Sequence, residues 1–106
     1  VIFDNYYDAM RKKIEAYGTT HFPRVKGQAL YGSLVVMVSV DQQGRLAKEG
    51  IKVMKSSGNQ ELDRQALAII RSSAPFGRFT DRMRQQIDVL DWVSTFEFTR
   101  DGAELK

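Results

Sequence analysis

The sequence of 106 residues contains no cysteine, one histidine and two prolines. The lack of cysteine excludes disulfides, thiolate-bound zinc and cysteine nucleophiles, but it does not fix the compartment, because many exported proteins also avoid thiols. His21 alone cannot hold a metal. Ser56 and Ser57 lie in no Gly-x-Ser-x-Gly or Walker pattern, so we interpret them as a strand end and a helix cap. The sequence therefore predicts neither an enzyme nor a bound cofactor or metal.

A long apolar run and a strong charge bias are also missing. No stretch approaches the roughly 18 apolar residues of a membrane span, and no signal-peptide pattern is present. Because the first residue is Val1 rather than Met, we expect a piece of a longer protein whose anchor lies upstream. The net charge of +3 is spread along the chain and does not require a polyanion. A small nucleic-acid-binding domain, suggested by the pI near 9.3, is a distant alternative, and no nucleic-acid partner is expected.

What remains is typical of one ordered globular domain over residues 1–106, with 42% hydrophobic and 27% charged residues. Apolar positions at three- and four-residue steps predict a first helix that Asp4 can cap and Gly18 can end. Its basic residues 11–13 are interpreted as a solvated face. The apolar positions are Phe3, Tyr6, Tyr7, Met10, Ile14 and Tyr17.

A second helix and three strands follow a connector over residues 19–31. Alternating apolar residues predict a strand over residues 34–40, a turn over 41–44, and a short partner strand at 51–53 after a polar, irregular loop. Ser57 or Asn59 can cap the next helix, which Pro75 ends. Residues 88–99 alternate again and predict a long last strand. On its apolar face Trp92 is interpreted as a core residue.

This order of elements predicts an α+β fold, with a small three-stranded antiparallel sheet and two helices packed on one face. Three strands leave two free edges. If the last strand forms one of them, its unpaired N–H and C=O groups can pair with an extended segment of another protein. The polar residues Asp91 and Glu97 would limit indiscriminate association at that edge.

Several short motifs, taken in order, resemble one known family. They are Glu15-Ala-Tyr-Gly-Thr-Thr-His-Phe-Pro, Tyr31-Gly-Ser-Leu-Val-Val, Gln43-Gly44, Lys55-Ser-Ser-Gly, Leu62-Asp-Arg-Gln-Ala, Ala74-Pro-Phe and Asp88-Val-Leu. Together they resemble the C-terminal domain of TonB, the energy transducer of Gram-negative bacteria, over about nine-tenths of the chain. The chain departs from the family late, with Thr80 in place of a repeated proline and Phe96 in place of a tryptophan.

The resemblance implies a periplasmic domain, tethered to the inner membrane by an N-terminal helix and a proline-rich spacer that are absent from this sequence. It implies that ExbB and ExbD act through that anchor as a proton-driven motor. The partners would be TonB-dependent outer-membrane transporters for iron chelates, haem or cobalamin. The domain would bind a short segment of the transporter called the TonB box. A TolA-like domain that recognises envelope or colicin partners is the alternative within the same fold. The isolated domain is compatible with a monomer or a strand-exchanged dimer.

The resemblance also implies where the transporter binds. The box would pair with the last strand, and the segment around the aromatic-proline pair would lie close by. The transporter-binding residues are then Asp88, Val89, Leu90, Asp91, Trp92, Val93, Ser94 and Thr95, together with His21, Phe22, Pro23 and Arg24.

Overall fold

Four strands form the main antiparallel sheet: β3 (Gly32–Asp41), β4 (Leu46–Lys55), β5 (Val89–Thr99) and β6 (Gly102–Leu105). Their order across the sheet is β4, β3, β5, β6. The helices are α1 (Asp4–Thr20), α2 (Gln60–Ser73) and α3 (Asp81–Gln86), and a separate hairpin joins β1 (Arg24–Val25) to β2 (Gln28–Ala29). The computed structural model describes residues 3–106, apart from the side chain of Glu49.

The predicted α+β class is confirmed, but the prediction of three strands and two helices is wrong. The sequence pattern missed β6, because four residues that include a glycine are too few to show a period of two. It missed α3, because that helix has six residues, of which only Met83 is buried. It also shortened β4, which begins at Leu46. Residues 46–50, which were expected in a loop over residues 45–50, belong to this strand and pair through an irregular register between Val38 and Val40.

One face of the sheet carries the core. The inward residues of β3 and β5 pack against the apolar stripes of α1 and α2, which is the arrangement that the two periodicities require. The core residues are Met10, Ile14, Leu34, Val36, Val38, Val40, Leu62, Ala66, Ile69, Ile70, Phe76, Phe79, Met83, Leu90, Phe96, Phe98, Ala103 and Leu105.

Helix α1 differs from its predicted ends. The residue before the helix is Phe3, with no side-chain cap, and the helix continues through Gly18 to Thr20. Gly18 is buried, and a Cβ atom there would lie 2.9 Å from Cβ of Ala103 in β6. The glycine therefore allows helix and strand to approach closely, rather than ending the helix.

The start of α2 is as predicted. The side chain of Asn59 accepts hydrogen bonds from the N–H groups of Glu61 and Leu62, at 3.0 and 3.2 Å. The carboxylate of Asp63 accepts a hydrogen bond from the N–H of Ser57 at 3.0 Å and another from the hydroxyl of Ser56. Burial raises the pKa of Asp63, but these hydrogen bonds outweigh it and the net shift is downward. The two serines therefore connect the end of β4 to α2.

Replacing Tyr6 with phenylalanine is expected to keep or raise the free energy of unfolding, by up to about 1 kcal/mol. The Tyr6 hydroxyl is buried without a hydrogen-bond partner among the described residues, and its ring packs edge-on against Phe79 at 5.3 Å. Burial, with a smaller effect of Asp41, raises the pKa of Tyr6 from 10.0 to about 12. Because the folded state then binds the proton more tightly, stability should fall as pH rises from 10.0 towards 12.

Urea denaturation at pH 8 and pH 11 checks this prediction, with Tyr17→Phe on the same helix as a control. The Tyr6→Phe variant should lose less stability between the two pH values than the wild type does. A loss of more than about 1 kcal/mol at pH 8 would mean that the hydroxyl does find a partner in solution.

Candidate functional site

The two edges of β5 are covered to different extents. On one side, β3 pairs with it from Asp41 opposite Val89 to Gly32 opposite Phe98. On the other side, β6 pairs only with the segment from Phe96 to Thr99. The pairing ends where Thr95 and Lys106 exchange two backbone hydrogen bonds of 3.2 and 2.9 Å. The expectation that the last strand leaves one whole edge free is therefore wrong over its C-terminal part, because β6 occupies it.

The open part of this edge runs from Val89 to Val93, and we call it the open edge. Backbone groups alternate between the two sides of a strand. Since Thr95 directs its N–H and C=O towards β6, the residues Val89, Asp91 and Val93 direct theirs to the same side. Among residues 3–106 no strand pairs with them, and Val89 and Val93 are 45% and 57% exposed. This row can accept another extended segment.

The opposite edge of the sheet, formed by β4, is less suited to such pairing. Its register with β3 is interrupted between Val35 and Val36 and again between Val38 and Val40. Bulges of this kind twist an edge away from regular pairing, and exposed lysines such as Lys52 and Lys55 protect it further. The open edge of β5 is the more regular template.

Helix α1 covers the outer edge of β6. The N–H of Ala103 donates to Oγ1 of Thr19 at 3.1 Å, and the N–H of Leu105 donates to Oε2 of Glu15 at 2.8 Å. These are the outward-facing groups of β6, which would otherwise have only water as partner. Further towards its N-terminus the helix flanks the open edge, where Tyr7 packs on Trp92 with ring centroids 5.7 Å apart.

The predicted residues 88–95 fall into three groups. Val89, Asp91 and Val93 belong to the open edge, and Asp91 also accepts a hydrogen bond from the Ser39 hydroxyl at 2.5 Å. Leu90 and Ser94 are buried and Trp92 is half-buried, as expected for the inward face. Thr95 already pairs with Lys106, and Asp88 lies just before the strand, where its Oδ1 accepts a hydrogen bond from Gln42 at 3.2 Å.

The ionic groups around β6 hold its end in place. Nζ of Lys106 lies 2.8 Å from Oε1 of Glu97 on β5, and this carboxylate is the main cause of the raised pKa of Lys106. The carbonyl oxygen of Lys106 also accepts a hydrogen bond from the Ser94 hydroxyl at 2.8 Å. The boundary between the covered and open parts of β5 is therefore fixed by several contacts.

The predicted residues 21–24 lie at the covered end of β5. Phe22 packs edge-on against Phe98 at 5.6 Å, and His21 stacks on Tyr17 at 4.2 Å. Pro23 is buried, while the backbone N–H of Arg24 donates to the side chain of Gln65 at 3.0 Å. Beside them is a cavity of about 200 Å³, whose lining includes Phe22, Arg24, Tyr31 and Arg100.

The structure thus does not bring the two predicted groups together. Phe98 and Asp91 are seven residues apart on one strand, which corresponds to about 23 Å. Both groups lie along β5, but at its two ends. The sequence pattern did not indicate that Tyr7 packs on β5 or that Glu15 bonds to β6. A helix pattern shows which residues share a face but not which strand that face will meet.

Comparison with known families identifies the family. Residues 20–98 match the family described as the C-terminal domain of Gram-negative bacterial TonB proteins. The chain belongs to this family. The resemblance inferred from the sequence motifs is confirmed, and the TonB family consists of non-catalytic, periplasmic interaction domains that work with outer-membrane transporters. Comparison with curated proteins and with solved structures found no match.

The TonB-family match begins at the last residue of α1 and ends before β6. The contacts between α1 and β6 therefore lie outside the matched segment. No helix among residues 3–106 is long and apolar enough to cross a membrane. In the same part of the chain, acidic residues and histidine form no group that could hold a metal ion.

Proposed function

We propose that this TonB-type domain binds the TonB box of outer-membrane transporters by strand addition at the open edge of β5. In this proposal it transmits force from the ExbB and ExbD motor, through an inner-membrane anchor, to transporters for iron chelates, haem or cobalamin. The proposal is carried by the row of backbone groups at Val89, Asp91 and Val93, with which no strand among residues 3–106 pairs, on a strand that is otherwise paired on both sides.

The affinity expected from this edge is low. Three residues offer one donor and one acceptor each, and a net contribution of about 0.5 to 1.5 kcal/mol per hydrogen bond gives a total of about 3 to 9 kcal/mol before side-chain contacts. After the cost of ordering the peptide, this corresponds to dissociation constants of about micromolar to millimolar. Backbone pairing also tolerates many sequences, because only side chains test identity.

The attachment of β5 to the domain suits a pulling role. The strand is hydrogen-bonded to β3 along its length, and Phe96 and Phe98 anchor it in the core. A force applied to an added strand would be transmitted to β5. From there it would be shared by the many hydrogen bonds between β5 and β3. In this proposal residues 21–24, at the other end of β5, form a second and separate contact with the transporter.

A titration tests the proposal directly. A synthetic peptide with the sequence of a transporter's TonB box is added to isotope-labelled domain, and backbone amide shifts are followed by NMR. We expect the largest shifts at the three residues of the open edge and small shifts on β4. Shifts confined to β4 or to the cavity near Arg24 would contradict the placement, and no binding at millimolar peptide would contradict the function.

A further inference from the structure

Helix α1 runs beside the open edge as well as beside β6, and its side chains are spaced to meet a strand there. Thr19 and Glu15 contact residues Ala103 and Leu105, so four helix residues correspond to two strand residues. The spacing along the helix matches the spacing along the strand, since four helix residues rise about 6.0 Å and two strand residues about 6.7 Å. The helix and the edge strand are therefore in register with each other.

This register predicts which helix residues flank the open edge. Leu105 lies opposite Phe96. Moving along β5 from Phe96 by two residues at a time reaches Ser94 and then Trp92. Moving along α1 from Glu15 towards the N-terminus by four residues at a time reaches Arg11 and then Tyr7. The ring contact of Tyr7 with Trp92, at 5.7 Å, confirms the second of these positions independently. Arg11 therefore lies between Glu15 and Tyr7 on the helix and opposite Ser94 on β5. The first residues of an added strand would lie at this position, just beyond the end of β6.

Arg11 is held in a fixed position. Its Nη2 donates to Oδ1 of Asp8, and its Nη1 lies 3.4 Å from both carboxylate oxygens of Glu15. The hydrogen bond from Arg11 is the main cause of the lowered pKa of Asp8. The side chain is 35% exposed, and a guanidinium carries five N–H donors, so these contacts leave donors to spare. A preordered donor loses little entropy when it binds a further acceptor.

We propose that Arg11 donates a hydrogen bond to an outward-facing backbone carbonyl of the added strand, which runs in line with β6 along β5. The proposal rests on the proposed strand addition and extends it. Each outward residue of an edge strand presents both an N–H and a C=O. On β6 the acceptors Thr19 and Glu15 take the N–H groups. Arg11 is a donor and takes a carbonyl, so the added strand is bonded on both of its edges.

The test compares two substitutions on the same helix, using the box peptide with the whole chain. Arg11→Ala is expected to weaken binding about tenfold, the range for loss of a hydrogen bond from a charged donor. Lys12→Ala removes the same charge from a side chain that also pairs with Asp8, at 3.0 Å, but is 69% exposed. It should change the affinity less than twofold. Equal weakening by both variants would mean that only net charge matters, and would overturn the proposal.

Two further measurements keep the result interpretable. Hydrogen exchange at the Leu105 amide must stay unchanged in Arg11→Ala, because Arg11 also contacts the Glu15 carboxylate that holds this group. If exchange does accelerate, Arg11→Gln, which retains an amide donor, is expected to recover at least half of the lost binding free energy. No recovery would overturn the proposal.

The peptide provides the other half of the test. Double-mutant cycles pair Arg11→Ala with alanine at each peptide position, and a main-chain contact predicts no coupling to any side chain. Strong coupling to one acidic peptide residue would mean that Arg11 binds a side-chain carboxylate instead of a backbone carbonyl, and would overturn the proposal. If wild-type protein does not bind the peptide at all, the proposed function fails; if it binds and Arg11→Ala binds equally, only this inference fails.

Discussion

Alanine in place of Gly44 is expected to lower the free energy of unfolding by about 3 to 5 kcal/mol. Gly44 has a φ of +80°, and a Cβ atom there would lie 2.1 Å from the carbonyl oxygen of Phe76 and 2.5 Å from that of Gly77. Both are backbone atoms that cannot rotate away. The carbonyl oxygen of Gly44 also accepts the N–H of Phe76 at 2.6 Å, so the added methyl group must break this bond and displace a buried phenylalanine.

Two other glycines separate the causes of this loss. Gly58 has a φ of +91° with nothing within 4 Å of an added Cβ, so Gly58→Ala should cost only the backbone term, about 1 to 2 kcal/mol. Gly77 has open space and no positive φ, and Gly77→Ala should change stability by less than about 0.5 kcal/mol. Urea denaturation of the three variants is the measurement. If Gly44→Ala and Gly58→Ala lose the same amount, the contact between turn and Phe76 is absent in solution.

The centre of the fold could be predicted from local patterns. The alternation along β3 and the last strand indicates both the strands and their inward faces, because a period of two needs only neighbouring residues. Asn59, one of the two predicted caps with Ser57, could be predicted for the same reason, since a cap acts on N–H groups two and three residues away. The position of Trp92 on the inward face also followed from alternation.

The covered part of the β5 edge could not be predicted in this way. Glycine is common at helix ends, which predicts an end at Gly18, yet this glycine lets Ala103 approach from the far end of the chain. Arg11 was assigned to a solvated face, because a helix pattern does not show which strand lies beside each side chain. Contacts between distant segments leave no local signal, and the extent of the open edge depends on such contacts.

Proline in place of Val93 is expected to weaken binding of the TonB box peptide at least tenfold, while the domain stays folded. Val93 directs its N–H away from β3, so proline removes a group that is unpaired in the free domain and needed only by the added strand. Proline is tolerated on an edge strand for this reason. Its ring would also occupy the space that the added backbone must enter. The cost in stability should be about 1 to 2 kcal/mol, from the restricted φ.

Proline in place of Val53 is the matched control, because Val53 lies opposite Val36, whose backbone groups face β5, so the N–H of Val53 points away from β3 at the edge formed by β4. It should cost a similar amount of stability and leave peptide binding within about twofold of wild type. Calorimetric titration measures both affinities, and near-ultraviolet circular dichroism of Trp92 reports whether β5 keeps its packing. If Val93→Pro binds normally while Val53→Pro does not, the added strand lies on the other edge. A domain that pulls through β5 requires the opposite result, because β5 is paired with β3 along its length and is anchored by two buried phenylalanines.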